Sequence, residues 1–480
     1  MARGQRRGVR AEGYQVPFEV LDLSYMEALQ TLHAACKFGI QPMLETVVDM
    51  LAELGDPDLS FRSLQIAGTN GKTSTSRYAA AILRGQGLRV ALYTSPELVS
   101  LTERMEVDGV PVSEGTFARG VAAAAEAGRR VNIRRRASGE RPYDVTQFDI
   151  LTVAACVAFA QADVDVAVLE CGMGGRWDAT SAVKSIEAVA VTGVGLDHTR
   201  ILGDTLEAIA GEKAAIIRCG QSCVLGVGTA TPDSVEDVFL DRCRSQDVTP
   251  VLLRPERLED AAGEMHAGVP RRHASLLRAS YRITSRPRRL GAPLELTVRT
   301  PRRAYTGLTA LKPSYQAANI ACAVTLTEAF LDGELDGDRL LESVRQCPTP
   351  GRFSLLRPNP PVLVDACHNP QSVDAFLAAL QDIAPDPATR PPLLCAVLAD
   401  KDVGGIVSRL ARTFPAVVCT QTSSSRSLGA DELVRRFLAA GAKVTGSYGS
   451  VAAALAAMSA GPLVGCGSIT LAGALAALLA

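Results

Sequence analysis

The chain contains the stretch Leu64-Gln65-Ile66-Ala67-Gly68-Thr69-Asn70-Gly71-Lys72-Thr73-Ser74. A short apolar run leads into a turn bracketed by two glycines, and a helix-compatible run follows at residues 76–83. Strand, turn and helix N-terminus in this order form a cradle for phosphate groups, because backbone N–H groups and the helix dipole face an anion. The lysine can reach the terminal phosphates, and a hydroxyl can bind Mg²⁺. The stretch therefore predicts a protein that binds and consumes ATP.

The glycines of this turn are spaced differently from those of the common phosphate loop. That loop has its first glycine five residues before the glycine of Gly-Lys-Thr, a position that Ile66 occupies here. Only Gly68 and Gly71 bracket the turn, which gives a shorter form. A chance Gly-Lys-Thr triplet is the alternative, but the strand-like run before it and the helical run after it favour a functional loop.

Composition limits the class of protein. A length of 480 residues favours two or three domains, and a net charge of −1 gives no overall field that would attract nucleic acid or an anionic membrane. The twelve cysteines show no Cys-x-x-Cys pair, which fits reduced thiols in the cytoplasm. The N-terminus lacks the apolar segment of a signal peptide, and glycines interrupt the Ala-rich segment 463–480. We expect a cytoplasmic monomer without nucleic-acid or membrane partners.

Apolar runs that can form strands alternate with helical runs along the first part of the chain. The predicted strands are 64–67, 90–93, 164–169 and 188–194, and the predicted helices include two within 23–54, with a break near 39–42, and others at 76–83 and 150–160. This alternation predicts a mainly parallel sheet that is covered by helices on both faces.

A domain boundary is predicted at residues 347–351, where two prolines and a glycine prevent a helix from continuing. We expect an N-terminal domain at 1–347, with a small peripheral β region at about 250–304, and a C-terminal domain at 348–480. Strands of the second domain are predicted at 362–365, 393–398, 416–420 and 443–446. The predicted fold class is α/β: a P-loop-type ATPase domain with a mainly parallel sheet, plus a smaller Rossmann-like α/β domain.

Two polar side chains follow predicted strands of the first domain. Glu170 ends one strand, and His198 follows the next strand in the segment Asp197-His198-Thr199. The carboxyl ends of parallel strands are where α/β sheets bind ligands, so Glu170 is a candidate for binding Mg²⁺ or orienting water. An ion pair between Glu170 and Arg176 is the alternative. For His198 we expect a metal or substrate role rather than a purely structural one.

Further candidates lie later in the chain. Lys213 follows Glu212 in a helical run, and the residues alone favour a surface Glu–Lys pair, since an inward lysine is costly unless it is paired or modified. Asp365 and His368 follow a strand of the second domain and are expected to contact a nucleotide across a cleft between the domains. Lys401 would add positive charge to that cleft. Cys367 beside His368 is not expected to be a catalytic thiol, because adjacent residues on a turn point apart.

The ordered motifs resemble the folylpolyglutamate synthase/dihydrofolate synthase family within the Mur ligase superfamily. They occupy residues 38–40, 54–57, 68–74, 94–96, 170–180, 197–199, 202–205, 209–217, 316–319, 350–352, 365–370 and 401–402. The resemblance implies a ligase in which ATP phosphorylates a folate-type acid. The amine of L-glutamate then displaces phosphate from the acyl phosphate and forms an amide. It implies ATP and Mg²⁺ as cofactors and leaves open whether a monovalent cation takes part.

The resemblance also assigns residues to roles. Those expected to hold ATP are Gly68, Thr69, Asn70, Gly71, Lys72, Thr73, Ser74, Asn319, Arg352, Asp365 and His368. Those expected to hold Mg²⁺ are Ser95, Glu170 and His198. The expected catalytic residues are Lys72, His198 and Lys213. Lys213 matches a lysine that is carbamylated in this family. Those expected to contact the acid or the amino acid are Phe148, Asp149, Thr152, Arg176, Asp178 and Lys401.

Several positions depart from the family pattern. Glu97 and Tyr315 replace histidines, Asp149 replaces a glutamate, and further departures are found at Ser181, Ala215 and Pro313. These positions are expected nearer to the part of the site that binds the acid, whereas the ATP positions follow the family pattern. Two alternatives therefore stay open: a divergent ligase that joins a different acid and amino acid, and a nucleotide-binding switch without ligase activity.

Overall fold

The computed structural model describes residues 13–35, 43–256, 276–458 and 461–480. The described strands form two sheets, one of eleven strands in the first part of the chain and one of six strands in the last part. The motif at 38–40 and the predicted helix break at 39–42 lie outside the described residues. Among the helices within those ranges, none combines the length and apolarity that crossing a bilayer requires.

The larger sheet carries the phosphate-loop stretch near its centre. Its strands are β1 (Arg62–Ala67), β2 (Val90–Tyr93), β3 (Met105–Val107), β4 (Val110–Pro111), β5 (Val166–Glu170), β6 (Ile186–Gly193), β7 (Ser222–Gly228), β8 (Val251–Pro255), β9 (Leu277–Ser285), β10 (Leu294–Arg299) and β11 (Ala304–Ala310). Their spatial order is β11-β10-β9-β8-β7-β6-β1-β5-β2-β3-β4. The strands from β9 to β2 in this order are parallel, and antiparallel pairs close both edges. The β region expected at 250–304 thus extends the same sheet.

Helices cover both faces of the larger sheet. They are α1 (Tyr25–Ala34), α2 (Leu44–Glu53), α3 (Lys72–Gly85), α4 (Glu114–Ala137), α5 (Gln147–Gln161), α6 (Thr199–Leu202), α7 (Leu206–Ala214), α8 (Asp233–Ser245), α9 (Gln316–Leu331) and α10 (Gly337–Gln346). Successive side chains of a strand point to opposite faces. In β5, Ala167 and Leu169 join the core beneath α4 and α5, whereas Val166 and Val168 join the core beneath α3 and α9. Both faces of the central strands are therefore buried.

The smaller sheet is also covered on both faces. Its strands are β12 (Ser354–Pro358), β13 (Pro361–Asp365), β14 (Leu393–Cys395), β15 (Val417–Thr420), β16 (Val444–Tyr448) and β17 (Leu463–Cys466), in the order β12-β13-β17-β14-β15-β16. Only the β12–β13 pair is antiparallel. The accompanying helices are α11 (Pro370–Ile383), α12 (Val403–Leu410), α13 (Ala430–Ala439), α14 (Val451–Ala457) and α15 (Ile469–Leu479). The predicted α/β fold class, with a smaller Rossmann-like second unit, is confirmed.

The segment between the two sheets is where the sequence predicts a domain boundary. Helix α10 ends at Gln346 and β12 begins at Ser354, so the Pro- and Gly-rich residues 347–351 connect them. We retain the division into 1–347 and 348–480 as a proposal that this connection supports.

Candidate active site

A cavity of about 320 Å³ lies between the carboxyl ends of the larger sheet's strands and the second domain. Most of the predicted site residues line it together: Gly68, Thr69, Asn70, Gly71, Lys72, Thr73, Ser74, Ser95, Glu170, His198, Lys213, Asn319, Arg352, Asp365 and His368. They come from the ends of β1, β2, β5, β6 and β13, from helices α3, α7 and α9, and from the connection before β12, and they are far apart in sequence. The cavity therefore joins groups that separate motifs had predicted to meet.

The phosphate loop requires its two glycines at this site. Gly68 has φ +154°, and a Cβ there would lie 1.9 Å from Oγ1 of Thr192. Gly71 has φ +86°, and a Cβ there would lie 2.5 Å from Oδ1 of Asn319. Only glycine combines such dihedral angles with so little space. Helix α3 begins at Lys72, so the unpaired N–H groups of its first turn are available to an anion.

Glu170 is buried at the end of β5, and only 1% of its surface is exposed. It accepts hydrogen bonds from Oγ1 of Thr73 at 2.8 Å and from the backbone N of Ser95 at 3.3 Å. Burial raises its pKa, while the charge of Lys72 and the Thr73 hydrogen bond oppose that rise. The alternative ion pair with Arg176 is wrong, because Arg176 binds Oε1 of Glu212 at 2.8 Å.

The donor set near Glu170 fits Mg²⁺. The Glu170 carboxylate and the hydroxyls of Thr73 and Ser95 are hard oxygen donors. Burial, followed by the charge of Lys401, lowers the pKa of His198 to about 4, so its imidazole is neutral at pH 7 and can act as a ligand. No cluster of three His, Cys, Asp or Glu that could hold a metal by itself occurs within the described ranges. Mg²⁺ keeps waters and phosphate oxygens in its coordination sphere, so a few oxygen donors from the protein are enough to hold it.

Lys213 is buried beneath the phosphate loop, so the surface Glu–Lys pair expected from the residues is wrong. Only 3% of its surface is exposed, and its Nζ donates to the carbonyl oxygen of Gly68 at 3.1 Å. Lys72 donates to the same carbonyl oxygen at 3.0 Å. Burial, followed by the charge of Lys72, lowers the pKa of Lys213 to about 7. Helix α7 turns Lys213 inward, whereas the adjacent Glu212 pairs with Arg176 on the outside.

Asp197 connects the two domains at the edge of the cavity. Its Oδ1 lies 2.6 Å from Nζ of Lys401, and its Oδ2 accepts from Asn369 at 3.2 Å and lies 3.6 Å from Nε2 of His368. Burial raises the pKa of Asp197, but the hydrogen bonds from His368 and Lys401 outweigh it and lower the pKa overall. Asp197 precedes His198 in the sequence, and no role is predicted for it, because its partner Lys401 is 204 residues away.

The phosphate loop itself contacts the second domain. Asn70 donates to Oε1 of Gln371 at 2.8 Å and accepts from Nδ2 of Asn369 at 3.0 Å. Gln371 was missed from the sequence, since nothing in its position on α11 indicates a partner in the first domain. These contacts join the second domain to the loop that would hold phosphates.

The start of α9 reaches both the phosphate loop and the second domain. Asn319 donates to Oε1 of Gln316 at 2.8 Å, and Gln316 donates to Oγ of Ser74 at 3.1 Å. Asp365 accepts a hydrogen bond from the hydroxyl of Tyr315 at 2.8 Å. Asn319 and Asp365 thus line the cavity from different domains. Tyr315, immediately before α9, contacts Asp365 across the interface.

The residues predicted for the acid and the amino acid lie outside the cavity lining. Asp149 caps α5 by accepting from Thr146 N at 2.8 Å, and the buried Asp178 accepts from Met173 N at 2.8 Å. The remaining members of this set are Phe148, Thr152, Arg176 and Lys401. Arg176 pairs with Glu212, and Lys401 contacts Asp197. The hydroxyl oxygens of Thr152 and Tyr93 lie 3.3 Å apart. A role in contacting substrate stays a prediction.

Two protein-family models match the chain. The model described as "Mur ligase middle domain" matches residues 66–227, and the one described as "Mur ligase, glutamate ligase domain" matches residues 351–467. Each of these segments contributes one side of the cavity.

Curated relatives are similar over most of the chain. The dihydrofolate synthase/folylpolyglutamate synthase of Mycobacterium tuberculosis is 33% identical over 84% of this chain and 78% of that protein. The Bacillus subtilis protein of the same name is 28% identical over 82% of this chain and 84% of its own length. A probable bifunctional folylpolyglutamate synthase/dihydropteroate synthase of Haloferax volcanii is 33% identical over 90% of this chain. That protein is longer, and this chain spans 47% of its length.

Solved structures have the same fold. The M. tuberculosis folylpolyglutamate synthase complexed with ADP and AMPPCP superposes with a TM-score of 0.81 at 28% identity, covering 95% of this chain and 99% of that one. A bifunctional folylpolyglutamate synthase/dihydrofolate synthase from Yersinia pestis gives a TM-score of 0.75 at 26% identity, covering 95% and 98%.

Proposed function

We propose that this chain, which belongs to the folylpolyglutamate synthase/dihydrofolate synthase family of Mur ligases, uses ATP to join L-glutamate to a folate-type acid. A carboxylate oxygen of the acid attacks the γ-phosphorus of ATP and ADP leaves, giving an acyl phosphate. The amine of glutamate then attacks the acyl carbon, loses a proton and displaces phosphate. The observation that carries the proposal is one cavity that combines a phosphate loop with the nucleotide-side groups Arg352 and Asp365 of a second domain.

The phosphate loop performs the binding and much of the electrostatic work in this proposal. Lys72, freed from the Gly68 carbonyl by an incoming phosphate, would pair with the terminal phosphates, and the N–H groups at the start of α3 would hold the oxygens between them. Positioning and charge stabilisation are the main contributions that a protein makes to phosphoryl transfer.

Ser95, Glu170 and His198 are the residues that would hold Mg²⁺, with Thr73 beside them. The ion would neutralise charge on the phosphate oxygens when bound. The buried Glu170 needs a positive partner to stay ionised, since burial raises its pKa. A cation and Lys72 would together provide it.

Lys213 is proposed to react with CO₂ to form a carbamate. Its neutral amine attacks the carbon of CO₂ and releases a proton, which converts a buried cation into an anion. A pKa of about 7 leaves enough neutral amine for this reaction near pH 7. The charge change would relieve the repulsion between Lys213 and Lys72 at the shared carbonyl of Gly68.

Asn319, Arg352, Asp365 and His368 are proposed to contact the nucleoside part of ATP. The contacts of Asp197 and Asn70 would hold the second domain against the first and keep water from the acyl phosphate. We further propose that the protein acts as a cytoplasmic monomer. Every cysteine in the described ranges is free of disulfides, which fits that compartment.

An assay of phosphate release tests the proposal. Purified protein would receive ATP and glutamate with dihydropteroate, with tetrahydrofolate, or with no acid. Release that requires both the acid and glutamate, with a mass gain of one glutamyl unit, is the expected result. Rapid hydrolysis without any acid would instead support a nucleotide-driven switch and contradict ligation.

A divergent acid is the second candidate, and the Glu97–Arg104 pair is the observation that favours it. Glu97 occupies a position where the family usually has histidine, and its Oε2 lies 2.6 Å from Nε of Arg104. Glu97 is two residues from Ser95, and the pair is mostly shielded from solvent. A carboxylate held by a guanidinium therefore stands next to the cavity where the family usually has an imidazole. Turnover with another carboxylate, together with none on either folate-type acid, would identify this case.

A further inference from the structure

A short segment before α9 connects the first domain to the second through two hydroxyl groups. Oγ of Ser314 donates to Oδ2 of Asp382 at 2.7 Å, and the hydroxyl of Tyr315 donates to Oδ2 of Asp365 at 2.8 Å. Both acceptors belong to the second domain. The segment forms two consecutive turns, in which the backbone N–H groups of Gln316 and Ala317 donate to the carbonyl oxygens of Pro313 and Ser314.

The two aspartates differ in what they can do. Asp382 is on α11 outside the cavity lining and also pairs with Arg286 at 3.3 Å, so its contact only docks the domains. Asp365 is at the carboxyl end of β13 and lines the cavity. Only the Tyr315 contact therefore reaches a group that can touch a ligand.

A few hydrogen-bond donors stabilise the charged form of Asp365. Only 3% of its surface is exposed, and its other donors are the backbone N–H groups of Phe353 at 2.9 Å and Cys367 at 2.8 Å. Burial raises its pKa, while the charge of Arg352 and the Tyr315 hydrogen bond oppose that rise. Among these donors, Tyr315 contributes a side-chain hydroxyl, and it belongs to the first domain.

We infer that Tyr315 is a positioning residue for the nucleoside part of ATP, which acts by holding the Asp365 carboxylate towards the ligand when the second domain is docked. The inference rests on the proposed nucleotide role of Asp365 and assigns a task to a residue that departs from the family pattern. Asn319 lies one helical turn beyond Tyr315 on α9, so a single helix start would align nucleoside contacts from both domains.

The test is direct binding of a non-hydrolysable ATP analogue and of inorganic tripolyphosphate to full-length protein, measured by calorimetry. Tyr315→Phe removes one hydrogen bond to a charged group and should weaken analogue binding about tenfold. Tripolyphosphate carries no nucleoside, so its dissociation constant should stay within about twofold of the wild-type value. In turnover, the KM for ATP should rise about tenfold while kcat changes by less than about twofold.

Tyr305→Phe is the matched control. Tyr305 also donates its hydroxyl to a buried carboxylate, Oε2 of Glu328 at 2.6 Å, but neither residue lines the cavity. This variant should bind both ligands as the wild type does. Equal analogue affinity of Tyr315→Phe and wild type would overturn the inference, and so would an equal loss for tripolyphosphate. Wild-type protein that binds no nucleotide would instead refute the proposed function.

Discussion

Two buried lysine side chains have different surroundings: Lys213 lines the cavity, and Lys401 contacts Asp197 at its edge. Lys401 meets a carboxylate, Asp197, at 2.6 Å across the domain interface. Lys213 meets the carbonyl oxygen of Gly68, which it shares with a second ammonium group. A buried cation with a carboxylate partner is stabilised as a cation, whereas one without such a partner loses its proton more easily. The first arrangement joins the domains, and the second lowers the pKa of the Lys213 amine, which is the property that the proposed carbamate requires.

Lys72 is the other lysine at the Gly68 carbonyl, and its removal should have the largest effect. Lys72→Ala should lower turnover by about 10³-fold, because a charge aimed at the transferring phosphoryl group is lost. Phosphate release at saturating ATP measures the loss. The urea midpoint should stay near the wild-type value, since the hydrogen bonds of Lys72 go to carbonyl oxygens of its own loop. The positive charge that Glu170 loses is offset by the repulsion that Lys213 no longer meets. An active Lys72→Ala protein would contradict the phosphate-loop assignment.

Asp197→Asn tests the lysine that has a carboxylate partner. The substitution leaves the Lys401 cation buried, with 7% of its side chain exposed, and should cost about 3 kcal/mol of unfolding free energy. Urea unfolding of the full chain, followed by far-UV dichroism, measures the cost. Adding Lys401→Met to Asp197→Asn should recover part of it, because the uncompensated charge is then removed. A double variant as unstable as the sum of both single variants would mean that the two side chains do not interact.

The sequence predicts the phosphate loop and Glu170 as parts of this site, but not the environments of the two lysines. Strand β2 has the bounds predicted for it, and the residues of the phosphate loop and Glu170 face one cavity because their motifs include the strand ends that position them. The Lys213 environment could not be predicted from its own helix. Its burial depends on α7 packing beneath a loop 145 residues earlier in the chain.

The contacts between the domains were the hardest to predict. Asp197 and Lys401 each follow a strand of a different sheet, so local pattern gives no information about their distance. Strand β7 and helix α8 were also absent from the sequence prediction, although β7 lies between β6 and β8 in the sheet. Their apolar residues are interrupted by glycines and charges, and pairing with neighbours rather than local propensity determines such a strand.

The lysine without a carboxylate partner should make stability depend on pH. Between its folded pKa of about 7 and its unfolded value of 10.5, Lys213 binds more protons in the unfolded chain than in the folded one. The free energy of unfolding should therefore rise with pH in this window, by up to about 1.4 kcal/mol per pH unit relative to Lys213→Met. Urea unfolding of both proteins in CO₂-free buffer at several pH values measures the difference. Parallel curves for the two proteins would mean that Lys213 titrates as it does in the unfolded chain.

Bicarbonate provides a second measurement on Lys213. If the neutral amine forms a carbamate, ¹³C-labelled bicarbonate should give a carbamate signal in the wild type and none in Lys213→Met. Because CO₂ reacts only with the unprotonated amine, the signal should weaken as the pH falls below about 7. A wild-type spectrum without this signal at pH 8 would contradict the proposed modification.

The smallest effect is expected next to Lys401, at a pair that differs from Asp197–Lys401 mainly in exposure. Asp400 binds Arg426 through two oxygens, but 39% of the Asp400 side chain and 55% of the Arg426 side chain are exposed. Water compensates for a lost partner at such a site, so Asp400→Asn should cost less than about 1 kcal/mol by the same urea measurement. Raising the salt concentration should shrink this cost further, whereas the larger cost of Asp197→Asn should persist, because buried charges are screened less. Equal costs for the two substitutions would show that burial does not distinguish the pairs, and the distinction between the two buried lysines would then have to rest on Lys213 alone.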